Sequence, residues 1–385
     1  MALKVVFLAA VVTCTLASRG DLGEKHEQGE KVTVKDVIVV GDTPDAIEGR
    51  RRLATTQELG LSDADEQIPG KQWNFQQKFD AKMFTRSVEW APHVFNLPAG
   101  ECDLHDNHKK LTDQIDVWGG SAKLSPRIFC GIYTYHKNHH TKVKAIKETW
   151  ASRCDGFVAF SDKVDLGVPS FKIKHEGPEE WGNMWQKSRA IWKYINFHYR
   201  EDYDWFVLGG DDIFLIYLLS DEIKNAAGGL VNGGTKPMYL GRRFRPNGEE
   251  RRMFNSGGAS YVLNKAALEL LASHLDDEAC QAHRKCSWED VQVADCLRKH
   301  GVVAYDTRDA FGRERFHPFT PAHHITYRPP AEATKDWYSD YSIDLKLGRE
   351  CCSRNSLSFH YVDEKLMKRL YHLIYSCPKD PVDLS

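Results

Sequence analysis

Residues 204–216 read DWFVLGGDDIFLI, so two adjacent carboxylates, Asp211 and Asp212, interrupt an apolar run directly after a pair of glycines. Charges inside a segment otherwise fit for burial cost several kcal/mol unless a cation or a set of donors compensates them. Two oxygen donors beside an open position suit Mn²⁺ or Mg²⁺, which in turn grips phosphate oxygens. The plainer alternative is an Asx turn that closes the strand on local amides. Three further stretches hold residue types with chemical use. Ser256-Gly257-Gly258-Ala259 is a glycine-rich turn, and the chain has no Gly-x-Gly-x-x-Gly or Walker sequence, which disfavours an ordinary dinucleotide or P-loop site. Glu289 and Asp290 open a helical pattern, where a carboxylate serves either as a general base or as compensation for the helix dipole. His317 stands between aromatics in RFHPF (315–319), as a ligand or as a satisfied core imidazole. The HKNHH run at 136–140 has a spacing poorly suited to one metal and reads as a solvated loop.

These residues need elements to hold them. RIFCGIYTY (127–135) and GFVAFSD (156–162) are apolar runs of strand type, separated by KVKAIKETW (142–150) with helical spacing. WGNMWQKSRAIWKYINFHY (181–199) sets Trp181, Met184, Trp185, Ile191 and Ile195 on one helical stripe. DWFVLGG gives a third strand and PMYLGRRF (237–244) a fourth. Residues 255–275 pass from the glycine turn into a short strand and a helix, and 288–301 form a helix closed by Gly301. Strands alternating with helices predict the α/β class with a mainly parallel sheet. Acids at the C-terminal tip of a strand then lie where open α/β sheets bind ligands.

The chain has 385 residues, an apolar fraction of 42%, a charged fraction of 28% and a net charge of −2, which gives no reason to expect a nucleic-acid or other polyelectrolyte partner. Residues 1–18, with one Lys and an apolar run from Val5 to Ala17, have the form of a secretory signal peptide or short signal-anchor. Any membrane contact is expected through this segment alone. Residues 19–125 read as a stem or linker, partly disordered, with a basic EGRRR run at 48–52 and scattered aromatics from 71 onward that could dock on the domain that follows. Residues 126–377 are the expected catalytic domain. An oxidising compartment makes disulfides the better reading of the cysteines, and the nine beyond Cys14 form an odd set that predicts one free or intermolecular thiol.

Taken in order, these motifs resemble the β1,3-glycosyltransferases of glycosyltransferase family 31, closest to the core-1 β1,3-galactosyltransferase branch and more distantly to Fringe. The resemblance is carried by KVKAIKETWASRC (142–154), MWQKS (184–188), DWFVLGGDDIFLI, YLGRRFRP (239–246), NSGGASYVLNKAAL (255–268), SWEDVQVADCL (287–297), ERFHPFTPAHH (314–324) and CCSRNSLSFHYV (351–362). It implies a GT-A fold, with a Rossmann-like sheet that binds a UDP-sugar through Mn²⁺ or Mg²⁺ and inverts the anomeric carbon. Carried over residue by residue, Asp212 and His317 become metal ligands with Asp211 beside them. Asp290 becomes the base, with Glu289 as its alternative. Thr134, Lys142, Lys147 and Lys187 fall near the nucleotide, and Trp185, Tyr239, Arg243, Gly257, Gly258 and Ala259 near the sugar. The side chains at 212, 290 and 317 are expected to converge on one cation-bridged leaving group.

The pattern departs from the family at Gly210, where the first of three acids usually stands. The resemblance implies transfer of a hexose, most readily galactose, to a glycan acceptor such as O-linked GalNAc on a protein, in the lumen of the ER or Golgi. Homodimerisation is compatible with the sequence. The other class it admits is a catalytically silent chaperone or glycan-binding protein, which would need none of Asp211, Asp212, Asp290 and His317.

Overall fold

The computed structural model describes residues 15–16, 78–82, 101–116, 126–216, 234–331 and 336–377. The expected leader, apart from a two-residue ladder between Thr15–Leu16 and Arg284–Lys285, lies outside the described residues, as do 19–77 of the expected stem with its basic run, 83–100 and 117–125.

The chain runs through α1 (Asn107–Thr112), β1 (Ile128–Tyr133), α2 (Lys144–Glu148), β2 (Gly156–Ser161), β3 (Ser170–Lys172), α3 (Met184–Tyr199), β4 (Trp205–Gly210) and β5 (Phe214–Leu215). It continues through β6 (Tyr239–Gly241), β7 (Arg243–Phe244), β8 (Phe254–Asn255), β9 (Tyr261–Asn264), α4 (Lys265–His274) and α5 (Glu289–Lys299). The last part holds α6 (Pro321–Thr326), α7 (Trp337–Tyr341), β10 (Ser358–Phe359) and α8 (Glu364–Tyr375). The central sheet has six strands in the order β3-β2-β1-β4-β9-β6. The first four are parallel, and β9 runs antiparallel to both β4 and β6. This is the mixed, mostly parallel α/β architecture of a GT-A glycosyltransferase.

Strands β2 and β4 are buried along their whole length, as a sheet covered on both faces requires. Side chains alternate between two layers. Cys130, Ile132 and Val207 join a cluster with Val143, Ile146 and Trp150 around α2, and with Met367 and Leu370 of α8. On the other face Phe129 stacks on Tyr199 of α3, with ring centroids 4.6 Å apart. Trp185, Ile191 and Ile195 of the expected α3 stripe are buried, whereas Trp181 is 73% exposed because it sits in a 3-10 turn before the helix begins. Gly301 has φ +82°, the left-handed turn that stops α5 where the sequence predicts.

Two segments N-terminal to β1 pack on this domain. The Phe79 amide donates to the Tyr194 hydroxyl at 2.9 Å, and its carbonyl accepts from Tyr199 at 2.7 Å. Cys102 is bonded to Cys377, and Asp116 pairs with Arg354 at 2.8 Å. Further disulfides join Cys130 to Cys154, Cys280 to Cys296, and Cys351 to Cys352. Cys286 is also disulfide-bonded, so the predicted leftover thiol is absent among the described residues. This bonding calls for an oxidising compartment. No described helix is long and apolar enough to cross a membrane.

Candidate active site

The strand order sets the position of the site. From β1 the chain moves outward through β2 and β3, then returns to lay β4 on the other side of β1. Such a reversal opens a crevice beyond the C-terminal ends of the two inner strands. Tyr133 and Gly210 are paired neighbours there, so Thr134 follows one strand tip and Asp211-Asp212 the other. Strand β9 runs the opposite way and brings the glycine turn 256–260 to the same edge.

Asp211 is buried and fully engaged. Its Oδ2 accepts from Thr134 Oγ1 at 2.7 Å and from Asn138 Nδ2 at 2.6 Å, and its Oδ1 pairs with Lys142 Nζ at 3.0 Å. Burial lowers the Lys142 pKa, but Asp211 more than offsets this and holds it above the usual range. Asn138 comes from the HKNHH run, which is not the expected solvated loop. It forms a 3-10 turn that runs into a π-helical turn, and His139 is buried against Ser161 and Ser170 at 2.8 and 3.0 Å.

Asp212 points elsewhere. Its Oδ1 lies 3.2 Å from His360 Nε2. Burial raises the Asp212 pKa, yet His360 and Lys142 outweigh it and hold the carboxyl below its usual value. Gly210 leaves room for this pair: a Cβ there would stand 3.0 Å from Asp212 Oδ1 and 3.4 Å from the Tyr133 ring.

His360, and not His317, is thus the imidazole that meets the acid. His317 lies beside Ser358, with its ring stacked 4.7 Å from Phe359 and its Nε2 2.9 Å from Ser356 Oγ. Burial, helped by the Arg242 charge, pushes its pKa down to about 3. The cause of the exchange is strand alternation. Pairing of β10 with β5 turns Phe359 into the core, so the next side chain, His360, faces Asp212. Ser358 and Phe359 are both buried and Tyr361 is half exposed, so SFHYV carries no clean period-2 pattern that would have marked His360.

The second acid pair arrives from α5. Asp290 Oδ2 accepts from the Gly257 amide at 2.8 Å and its Oδ1 from the Val291 amide at 2.9 Å. Burial raises its pKa despite those donors. Glu289 is more enclosed. Its Oε2 accepts from the Tyr261 hydroxyl at 2.8 Å, and burial with the Asp290 charge pushes its pKa up to about 8 although Tyr261 and Ser188 hydrogen-bond to the carboxylate.

The glycines join the two pairs. A Cβ at Gly257 would stand 2.5 Å from Glu289 Oε1, and one at Gly258 would stand 2.5 Å from the His360 ring. Contacts therefore run from Asp290 through Gly257 and Gly258 to His360 and Asp212. Tyr133 completes the wall. After burial, the charges of Glu289, Asp290, Asp212 and Asp211 all raise its pKa.

The other expected site residues divide by place. Lys187 lies behind the crevice, donating to the Thr134 carbonyl at 2.5 Å and paired with Glu179; burial lowers its pKa. Tyr239 is buried, with its hydroxyl 3.2 Å from the Asn255 amide. Ala259 is buried and its carbonyl accepts from Ser358 Oγ at 2.5 Å. Arg243 pairs with Asp306 at 2.6 Å and, with Tyr239, Met253 and Arg298, lines a separate cavity of about 230 Å³. Lys147 instead donates to the Gly167 carbonyl at 2.8 Å, and Trp185 is a core residue donating to the Gln281 carbonyl at 2.9 Å. Neither contact belongs to the acid cluster.

The described residues thus combine an acid–imidazole pair and a buried general-base candidate at the switch point of a mixed sheet. Over 251 residues, 65% of this chain and 66% of the relative, the sequence is 32% identical to glycoprotein-N-acetylgalactosamine 3-beta-galactosyltransferase 1 of Xenopus laevis. The chain belongs to glycosyltransferase family 31. It is also 26% identical over 215 residues to human chondroitin sulfate synthase 3, and 21% identical over 215 residues to mouse beta-1,3-glucosyltransferase. Those matches cover 50% and 55% of this chain but only 24% and 41% of the relatives. No family model matches. This family-31 chain carries Asp211, Asp212, Glu289 and Asp290, with Gly210 at the position ahead of the first pair.

Proposed function

We propose that the chain is an inverting β1,3-glycosyltransferase that moves a hexose, most readily galactose, from a UDP-sugar to an acceptor such as O-linked GalNAc on a glycoprotein. The observation that carries this reading is the run of contacts from Asp290 through Gly257 and Gly258 to His360 and Asp212. A site lumenal to the ER or Golgi suits the disulfides.

Asp212 and His360 fit a divalent cation. A carboxylate oxygen and an imidazole nitrogen 3.2 Å apart are a donor set that Mn²⁺ accepts. When bound, that ion would offset charge on the diphosphate leaving group. Asp211 serves instead to fix Thr134, Asn138 and Lys142 around the strand tips. Asp290 takes the proton of the acceptor hydroxyl as its oxygen bonds to the anomeric carbon from the face opposite the departing UDP. UDP leaves with the electron pair of the broken C–O bond. Burial favours this role because it makes the carboxylate a better proton acceptor. Glu289, pushed up to about 8, holds its proton at neutral pH and is suited to supporting Tyr261 rather than to acting as base.

The test is incubation of purified full-length protein with a panel of UDP-sugars, Mn²⁺ and a GalNAc-bearing peptide, read by mass spectrometry. A hexose increment that disappears with chelator supports the reading. UDP binding without any transfer, on every donor and with GalNAc-peptide present, would support the silent binding protein instead.

A further inference from the structure

Away from the crevice, the C-terminal ends of α4 and α5 come together. His274 is the last residue of α4, Asp277 follows three positions later, and His300 caps α5. The two imidazoles lie face to face, with centroids 3.6 Å apart and planes 15° from parallel. Asp277 Oδ2 is 2.7 Å from His274 Nδ1, and one ligand atom from each of the three residues lies within 4.8 Å of the others. His300 Nε2 is buried without a hydrogen-bond partner. An ion pair between His274 and Asp277 explains the first contact but leaves that nitrogen unexplained.

We propose that His274, Asp277 and His300 form a zinc site that clamps the ends of α4 and α5. Two imidazoles and one carboxylate are a donor set for a borderline divalent ion, with solvent completing the coordination. Both helices end here, so their terminal carbonyls add negative potential that favours a cation. The backbone is already set. Asp277 N–H donates to the His274 carbonyl at 3.0 Å, Cys280 N–H to that of Asp277 at 2.9 Å, and His300 N–H to that of Leu297 at 3.0 Å. The Cys280–Cys296 disulfide ties the turn after Asp277 to α5. Lys299, the neighbouring cation in sequence, is bonded to the Ala279 carbonyl.

Binding requires only side-chain movement. Ligands around tetrahedral zinc sit roughly 3.3 Å apart, given Zn–N distances of about 2.0–2.1 Å. Tilting the rings out of their stack brings the in-plane lone pairs together. His274 and Asp277 have side chains 32% and 46% exposed, which leaves the ion a path from solvent.

The test uses untagged full-length protein carrying Asp212→Ala, so that the crevice ligand does not enter the count. Zinc is titrated against a chromophoric chelator. The parent should bind one equivalent more than the same protein with His300→Ala or His274→Ala, and its melting temperature should rise with zinc by about 3–5 °C while theirs does not. Equal stoichiometry in parent and variants overturns the proposal. Co²⁺ loaded in place of zinc supplies a readout on the parent alone: a visible tetrahedral ligand-field band supports the site, and its absence at one added equivalent refutes it even if a variant fails to fold.

Discussion

The two acid pairs of the crevice have opposite surroundings. Asp211-Asp212 sits among Lys142, His360 and neutral donors, and His360 and Lys142 hold the Asp212 carboxyl below its usual value. Glu289-Asp290 sits among tyrosines and backbone amides, and burial raises both pKa values. In each pair one acid is consumed by the fold, Asp211 by three donors and Glu289 by Tyr261, while its neighbour turns to the crevice. The lesson is that sequence adjacency does not make two carboxylates equivalent. The pair rich in cationic partners suits holding a metal, and the pair poor in them suits holding a proton.

The sharpest way to break this division is Asp290→Asn. Transfer should fall about 10³–10⁴-fold, the upper part of the range for loss of a general base, while UDP binding by calorimetry persists. Loss of binding as well would mean that the second pair also holds the nucleotide. Asp212→Ala should lower turnover about 10²–10³-fold and remove the Mn²⁺ dependence of UDP binding, since a metal contributes several kcal/mol of charge stabilisation. Normal turnover in that variant would erase the contrast.

The two histidines offer a finer comparison. His360→Ala should raise the Mn²⁺ concentration for half-maximal activity by roughly tenfold or more, with little change in melting temperature. His317→Ala should do the reverse, costing about 2 kcal/mol of stability through its lost packing on Phe359 and its lost bond to Ser356. A Mn²⁺ shift in the His317 variant alone would restore the motif-based assignment.

The smallest effect concerns Glu289. Its folded pKa of about 8 lies above its ordinary 4.5, so between those values the folded protein binds more protons than the unfolded chain. Stability therefore falls as pH rises through that window, and the loss is complete above about 8. Glu289→Gln should remove this slope, so its melting temperature should decline less than wild type between pH 6 and 9. Parallel declines would place the Glu289 proton elsewhere.

Much of the fold was legible along the chain. The apolar runs at 127–135, 156–162 and 204–210 became β1, β2 and β4, and Gly301 ended α5, because strand burial and helix termination are local properties of pattern and backbone geometry. Asp211, Asp212, Glu289 and Asp290 stood out because acids beside apolar runs are conspicuous. His360 did not, because a histidine between apolar residues looks the same whether it faces a core or a crevice. Asn138 was hidden because its run reads as a solvated loop, and Tyr133 because it looks like one more apolar strand residue.

The chain alone determined the alternation of strands and helices, the acids available at two breaks in that pattern, and the cysteines that crosslink it. Tertiary structure decided which acid of each pair is open, which histidine meets Asp212, and which lysines approach the crevice. Those choices depend on strand register and on long-range packing, and a one-residue step past Phe359 exchanges a core ring for the imidazole that meets Asp212. Local pattern carries no record of what stands across the gap.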